Sequence, residues 1–121
     1  MQAAATAMRQ TAVPSKQDRL VRLVADFSLL RGATIRLASG AESTFYFNMK
    51  PVTFNPEGAH LIAELVLDEV RRDKAEFIGG LEMGAIPIIA CVSQLSFIQD
   101  DGAIQGFFVR KVEGARHAKA H

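Results

Sequence analysis

Apolar residues recur every three or four positions in two stretches of the chain, which is the spacing of a helix with one buried face. The first stretch follows Ser15, a residue that can cap a helix, and ends at Gly32. The second follows Asn55-Pro56-Glu57, which combines a capping side chain, a proline suited to the first helical position and an early acid. We therefore expect two helices. Their apolar faces are Leu20, Leu23, Val24, Phe27 and Leu30 in the first, and Leu61, Ile62, Leu65, Val66 and Val70 in the second.

Shorter apolar runs predict four strands. Thr34–Leu37 and Thr44–Asn48 are β-prone, and the polar, glycine-bearing segment Ala38–Glu42 between them suits a hairpin or an adjacent strand pair. Phe77–Gly80 and Ile104–Val109 are continuous apolar runs. Since neither run has an obvious polar face, both indicate buried strands.

The two buried strands flank a third helix, which we expect to open at Pro87 and to run to about Leu95. A strand, a glycine turn and a helix in that order form the layout of a phosphate-binding loop. Alternating helices and strands indicate an α/β fold with a parallel sheet. At 121 residues the chain has room for one core, so we expect one domain.

Charge and targeting signals narrow the class of protein. The chain has 14 Lys plus Arg against 13 Asp plus Glu, so no global field favours nucleic acid or a membrane. Residues 1–15 lack the apolar run of a secretory signal, and no later stretch is long enough to span a bilayer. We expect a flexible N-terminus over residues 1–15 and a cytoplasmic protein.

Cysteine and histidine offer little chemistry. Cys91 is the only cysteine, and its apolar neighbours favour a buried packing role over a reactive thiol. His60, His117 and His121 have no cysteine or carboxylate at zinc-ligand spacing, so we expect no protein-bound metal site. His60 is expected on a helix face.

Three segments resemble, in order and approximate separation, those of the orotate phosphoribosyltransferases, which are type I phosphoribosyltransferases. They are Ser39–Lys50, Gly79–Pro87 and Phe107–Lys111. The resemblance implies a partial type I phosphoribosyltransferase fold, a parallel sheet flanked by helices with an N-terminal hood. It places the hood at about residues 16–55 and the start of an incomplete α/β core at about 56–121.

The resemblance also implies an activity. Members of this family join orotate to phosphoribosyl pyrophosphate, giving orotidine 5′-monophosphate and pyrophosphate in de novo pyrimidine biosynthesis. By the same resemblance we expect Mg²⁺ carried by phosphoribosyl pyrophosphate, and a homodimer.

The first segment supplies the expected orotate site, in which aromatic side chains stack on the pyrimidine and backbone groups meet its edges. Without the resemblance, Phe45-Tyr46-Phe47 would be interpreted as the core of a strand. The family commonly has a basic residue where Ala38 stands here, and Arg36 or Lys50 is left as a possible substitute. The matching orotate residues are Ser39, Gly40, Tyr46, Phe47 and Asn48.

The second and third segments supply the expected phosphoribosyl pyrophosphate site. Many relatives have a lysine in the loop where Met83 and Gly84 stand, so charge must come from elsewhere. Alternatives to this site are a tight glycine turn of any α/β fold and solvated charge at a strand end. The matching residues are Gly80, Glu82, Met83, Gly84, Arg110 and Lys111.

Lys119 and His121 match the family's catalytic Lys-X-His on a mobile loop. The preceding segment, Val112–Ala118, is longer than is usual in the family, so His117 offers a competing register.

The family's further signature is an apolar strand that ends in two acids and a Thr/Gly-rich loop, and the 121 residues contain no such segment. Asp100-Asp101-Gly102 precedes a strand rather than following one, and it indicates a turn. We therefore expect a chain truncated before that motif and not active alone. The alternative is a non-catalytic module that binds a pyrimidine or dimerises.

Overall fold

The computed structural model describes residues 13–100 and 104–111. These residues form four helices and four strands, and the strands pair as two two-stranded sheets, β1 with β2 and β3 with β4. In chain order the elements are α1 (Lys16–Phe27), β1 (Leu29–Arg36), β2 (Glu42–Phe47), α2 (Lys50–Thr53), α3 (Pro56–Arg72), β3 (Phe77–Leu81), α4 (Ala85–Asp100) and β4 (Gln105–Val109).

Helix α1 begins where the sequence predicts and ends earlier. The Ser15 hydroxyl accepts from the Asp18 N–H at 3.1 Å, and the Asp18 carboxylate accepts from the Ser15 N–H at 3.1 Å. Hydrogen bonds from the Ser15 side chain and backbone hold the pKa of the Asp18 carboxyl below its usual value. The predicted end at Gly32 is wrong, because β1 starts at Leu29 and Leu30 pairs with Tyr46 across the hairpin.

The β1–β2 hairpin is confirmed, with β1 starting five residues earlier than predicted. Its strands are antiparallel from the Leu29–Phe47 pair to the Arg36–Glu42 pair, with a register irregularity between Arg31 and Ile35. In the turn, the Gly40 N–H donates to the Leu37 carbonyl at 2.8 Å. Gly40 has a φ of 84°, which glycine adopts without steric cost.

Helix α3 has the predicted start. The Asn55 side chain accepts from the Gly58 N–H at 2.9 Å, and Pro56 occupies the first helical position. Of the expected face, Leu61, Ile62 and Val70 are buried, whereas Leu65 and Val66 are partly buried. Ala63 and Leu67 of α3 meet Val92 and Leu95 of α4 in the core cluster.

Helix α4 is longer than the predicted segment from Pro87 to Leu95. It starts at Ala85 and ends at Asp100. Pro87 is its third residue, a position whose N–H would have no partner within the helix, so proline is tolerated there. At the other end Phe97 and Ile98 remain exposed.

Strands β3 and β4 are parallel and in register from the Phe77–Gln105 pair to the Leu81–Val109 pair. Helix α4 connects them, so the predicted parallel α/β unit is confirmed. Their expected burial is wrong, because every residue of β4 is exposed, as are both ends of β3. Within the described residues each strand has one neighbour, and α4 packs beneath them, with Ile89 under Gly106.

Two single residues follow their predicted settings. Cys91 is partly buried and packs against the core cluster. His60 is exposed on α3, with its Nε2 3.7 Å from a Glu64 carboxylate oxygen.

Among the described residues, no helix is long and apolar enough to cross a membrane, and no three His, Cys, Asp or Glu side chains gather as metal ligands.

Whether alanine at Gly58 raises or lowers the free energy of unfolding depends on how closely α2 packs against α3. Glycine to alanine inside a helix usually stabilises by about 0.5–1 kcal/mol. At Gly58 an added Cβ would lie 2.3 Å from the Val52 carbonyl oxygen of α2. We expect Gly58→Ala to lower the free energy of unfolding by about 1–3 kcal/mol, measured by urea denaturation.

His60→Ala, on the exposed side of the same helix, is the matched control and should change that free energy little. A Gly58→Ala variant at least as stable as the wild type would show that α2 does not pack as closely as described.

Candidate functional site

The hairpin presents aromatic rings on both of its faces. Successive residues of a strand point to opposite sides, so Phe45 and Phe47 share one face and Tyr46 occupies the other. The rings of Phe45 and Phe47 meet edge to face, with centroids 6.0 Å apart. Tyr46 is 45% exposed and Phe47 is 48% exposed. A planar ligand on one face can therefore stack on Tyr46 or on Phe47, but not on both.

Phe47 also lines an apolar groove between α1 and α3 with a volume of about 750 Å³. Tyr46 does not line this groove. Phe47 therefore packs beside this groove. Of the two aromatic side chains predicted to bind orotate, Tyr46 is the one that faces away from the groove. The other lining residues are Gln17, Leu20, Val21, Val24, Ala25, Leu29, Leu65, Val66 and Glu69.

The remaining predicted orotate residues lie at opposite ends of the hairpin. Ser39 and Gly40 are in the β1–β2 turn. Asn48 follows β2, its N–H donates to the Ser28 carbonyl at 2.8 Å, and its side-chain oxygen accepts from the Lys50 N–H at 3.3 Å. Asn48 therefore joins the hairpin to both α1 and α2.

The two possible substitutes for the basic residue missing at Ala38 also lie at opposite ends of the hairpin. Arg36 ends β1 beside the turn, where it pairs with Glu42 across the hairpin. Lys50 starts α2, beyond Asn48. Each is exposed.

The segment between β3 and α4 is a tight connection. A Cβ on Gly80 would lie 2.6 Å from the Ala85 Cβ, so this glycine permits the first residue of α4 to sit against the end of β3. Gly84 faces open space, Met83 is 73% exposed, and the Glu82–Met83 peptide bond is cis. The backbone of Gly84 is thus accessible directly before the N-terminus of α4.

The structure brings this loop and the basic pair together. The Arg110 Nε donates to a Glu82 carboxylate oxygen at 2.7 Å, and the Glu82 N–H donates to the Val109 carbonyl at 3.1 Å. Lys111 follows Arg110 and is exposed. The two segments assigned to phosphoribosyl pyrophosphate therefore meet at the carboxyl ends of β3 and β4.

Sequence reasoning identified Glu82 and Arg110 separately and missed their contact. The predicted strands, Phe77–Gly80 and Ile104–Val109, differ in length, so the sequence carried no signal for the register that brings these two residues together. When Leu81 pairs with Val109, the next residue of each strand lies beside the other. Asp100 is the last residue of α4, while the rest of the predicted turn, Asp101 and Gly102, lies outside the described residues. The predicted catalytic residues Lys119 and His121, and the alternative His117, also lie outside them.

Comparison with curated proteins agrees with the resemblance in the motifs. An orotate phosphoribosyltransferase of Rhodopseudomonas palustris (strain BisB5) is 46% identical over 105 residues, which are 87% of this chain and 55% of that protein. The Aquifex aeolicus orotate phosphoribosyltransferase is 34% identical over 98 residues, which are 79% of this chain and 53% of that protein. No family model matches the chain.

Solved structures agree with the fold. The orotate phosphoribosyltransferase of Mycobacterium tuberculosis H37Rv, in complex with Fe(III) dicitrate, matches with a TM-score of 0.64 and 25% identity, over 84% of this chain and 55% of that one. The same enzyme in complex with 5-phospho-alpha-D-ribosyl 1-diphosphate matches with a TM-score of 0.62 and 26% identity, over 84% and 58%. By sequence and by fold, the chain is therefore related to the orotate phosphoribosyltransferases, and it spans about half the length of the curated relatives that it matches.

Proposed function

We propose that this chain is part of an orotate phosphoribosyltransferase and carries the surfaces that bind orotate and the diphosphate of phosphoribosyl pyrophosphate. The observation that carries the proposal is the meeting of the Glu82–Gly84 loop with Arg110 and Lys111 at one sheet edge. In open α/β sheets, ligands bind outside the carboxyl ends of the strands. The relatives named orotate phosphoribosyltransferase supply the reaction.

In the proposed reaction, the pyrimidine nitrogen displaces pyrophosphate at the C1 carbon of the sugar. The leaving group carries most of the charge, so the site must stabilise an anion. The exposed backbone at Gly84, the start of α4 and the cations of Arg110 and Lys111 suit that role. Gly80 would keep α4 close to the loop, and Met83 would border it.

We assign orotate to the hairpin. Tyr46 offers a half-exposed ring on the face turned away from the α1–α3 groove. Asn48, two residues along the chain from Tyr46, would meet a polar edge of the pyrimidine. Ser39 and Gly40 lie at the other end of the six-residue strand β2, too far away to contact the same ring as Asn48. Phe47, whose ring contacts Phe45 instead, would support the hairpin from behind.

Further parts of the proposal follow from the resemblance. Lys119 and His121 would take part in catalysis, with Mg²⁺ arriving bound to phosphoribosyl pyrophosphate. We also propose that the protein acts as a homodimer in the cytoplasm. The exposed aromatic rings of β3 and β4, Phe77, Phe107 and Phe108, give such an assembly apolar surface to cover.

The first prediction for this function concerns orotate binding. A stacked aromatic ring is worth about 1–3 kcal/mol per base, which alone gives no better than millimolar affinity. We expect the 121-residue chain to bind orotate weakly, and Tyr46→Ala to bind it about tenfold more weakly or not at all, as measured by calorimetry.

Phe45→Ala is the matched control, because it removes an aromatic ring of similar exposure from the opposite face of the same strand. It should leave the isotherm nearly unchanged, and Tyr46→Phe should retain binding. If Tyr46→Ala binds orotate as the wild type does, Tyr46 is not part of the orotate site.

The second prediction concerns turnover. The 121 residues contain no strand that ends in two acids and a Thr/Gly-rich loop, the segment that holds the ribose and the 5′-phosphate in this family. Correct positioning supplies roughly 7–11 kcal/mol of barrier reduction, so losing that cradle should abolish useful catalysis. We expect no detectable orotate consumption by this chain with Mg²⁺ and phosphoribosyl pyrophosphate, followed by absorbance.

A full-length relative assayed in parallel provides the positive control. Clear consumption of orotate by the 121-residue chain would contradict the role given to the acid-pair loop. Orotate binding without turnover would also suit the alternative of a non-catalytic pyrimidine-binding module.

A further inference from the structure

Glu82 is an unexpected residue in a loop proposed to hold a diphosphate. A carboxylate beside a polyanion is repulsive, and two like charges at close range disfavour binding. Glu82 is nevertheless largely enclosed, since its side chain is 20% exposed, whereas that of Arg110 is 72% exposed. The carboxylate thus faces the protein while the guanidinium faces solvent.

The contact between them uses one particular nitrogen. Glu82 accepts from the Arg110 Nε, which lies at the base of the guanidinium fork. Within the described residues, this is the one hydrogen bond of the Arg110 side chain that the structure records. An arginine held at Nε keeps its two terminal NH₂ groups available, and these donate in parallel to oxyanions.

We propose that Glu82 is a positioning residue that holds the Arg110 guanidinium at the carboxyl ends of β3 and β4, with its terminal NH₂ groups available to bind the diphosphate. This inference rests on the proposed function and assigns Glu82 a different role from direct contact with phosphoribosyl pyrophosphate. It also accounts for the charge of a loop in which Met83 and Gly84 occupy the positions where relatives place a lysine. Arg110 supplies that charge from the neighbouring strand.

The backbone makes Glu82 suitable for this role. The parallel pairing of Leu81 with Val109 places the next residues of the two strands side by side, and the Glu82 N–H is bonded to the Val109 carbonyl. The carboxylate is therefore fixed relative to β4 before any ligand binds. Ordering Arg110 in advance lowers the entropy lost on binding.

The experiment is a calorimetric titration of the 121-residue chain with sodium pyrophosphate. We compare the wild type with Glu82→Ala and with Glu76→Ala, which removes the same charge at the opposite end of β3. Glu82→Ala should bind pyrophosphate about tenfold more weakly, the size of one charge-assisted hydrogen bond. Glu76→Ala should bind as well as the wild type or slightly better, because the chain has become more positive.

A second measurement separates positioning from a general structural role. In an Arg110→Ala background, adding Glu82→Ala should weaken pyrophosphate binding no further, because the residue through which Glu82 acts is gone. The ¹⁵N–¹H signal of the Arg110 Nε–H should also shift in ligand-free Glu82→Ala but not in Glu76→Ala.

The outcomes are distinct. Pyrophosphate binding by Glu82→Ala that equals or exceeds that of Glu76→Ala overturns the inference and leaves the proposed function standing. A further loss in the Arg110→Ala background overturns it in favour of a structural role. Failure of the wild type to bind pyrophosphate overturns the proposed diphosphate site itself. Should circular dichroism show Glu82→Ala unfolded, Glu82→Gln, which keeps the size of the side chain but removes its charge, must weaken pyrophosphate binding in the wild-type background and not in the Arg110→Ala background.

Discussion

The packing of α3 against α4 is the contact on which the rest of the described structure depends. Ala63 and Leu67 on one helix meet Val92 and Leu95 on the other, and these side chains form the core cluster. Helices α1 and α2 contact α3, strands β3 and β4 contact α4, and the β1–β2 hairpin contacts α1. Ion pairs from Lys16 to Glu64 and Asp68 of α3 hold α1, and α4 lies beneath β3 and β4. The buried helix pair therefore fixes where both sheets can lie.

This arrangement divides the candidate site into two independently supported parts. The hairpin is connected to the core through α1 and through the Asn48–Ser28 backbone hydrogen bond. The β3–α4 loop is positioned by α4, which packs in the core cluster. The described side-chain contacts join residues of the same part, such as Phe45 with Phe47 in the hairpin and Glu82 with Arg110 at the ends of β3 and β4. Free-energy effects of substitutions in separate parts with no shared partners usually add. The surfaces proposed for orotate and for diphosphate can accordingly be altered one at a time.

Elements specified by neighbouring residues could be predicted from the sequence, and those specified by distant ones could not. The start of α3 needs only Asn55, Pro56 and the Gly58 N–H, and its prediction is confirmed. The end of α1 depends on β2, because Leu30 fits the apolar spacing of the helix but pairs instead with Tyr46. Burial of β4 likewise depends on how many strands and helices surround it, which periodicity does not report.

In the candidate site, too, contacts between residues distant in sequence could not be predicted. Motifs alone suggested the candidate residues, and alternation along β2 implies that Tyr46 and Phe47 face opposite ways. Whether Glu82 contacts a ligand or another residue depends on the register of two strands separated by a whole helix. Once Leu81 pairs with Val109, a carboxylate and a guanidinium become neighbours, and their attraction orients both. A residue that would otherwise repel an anion can then help to bind it.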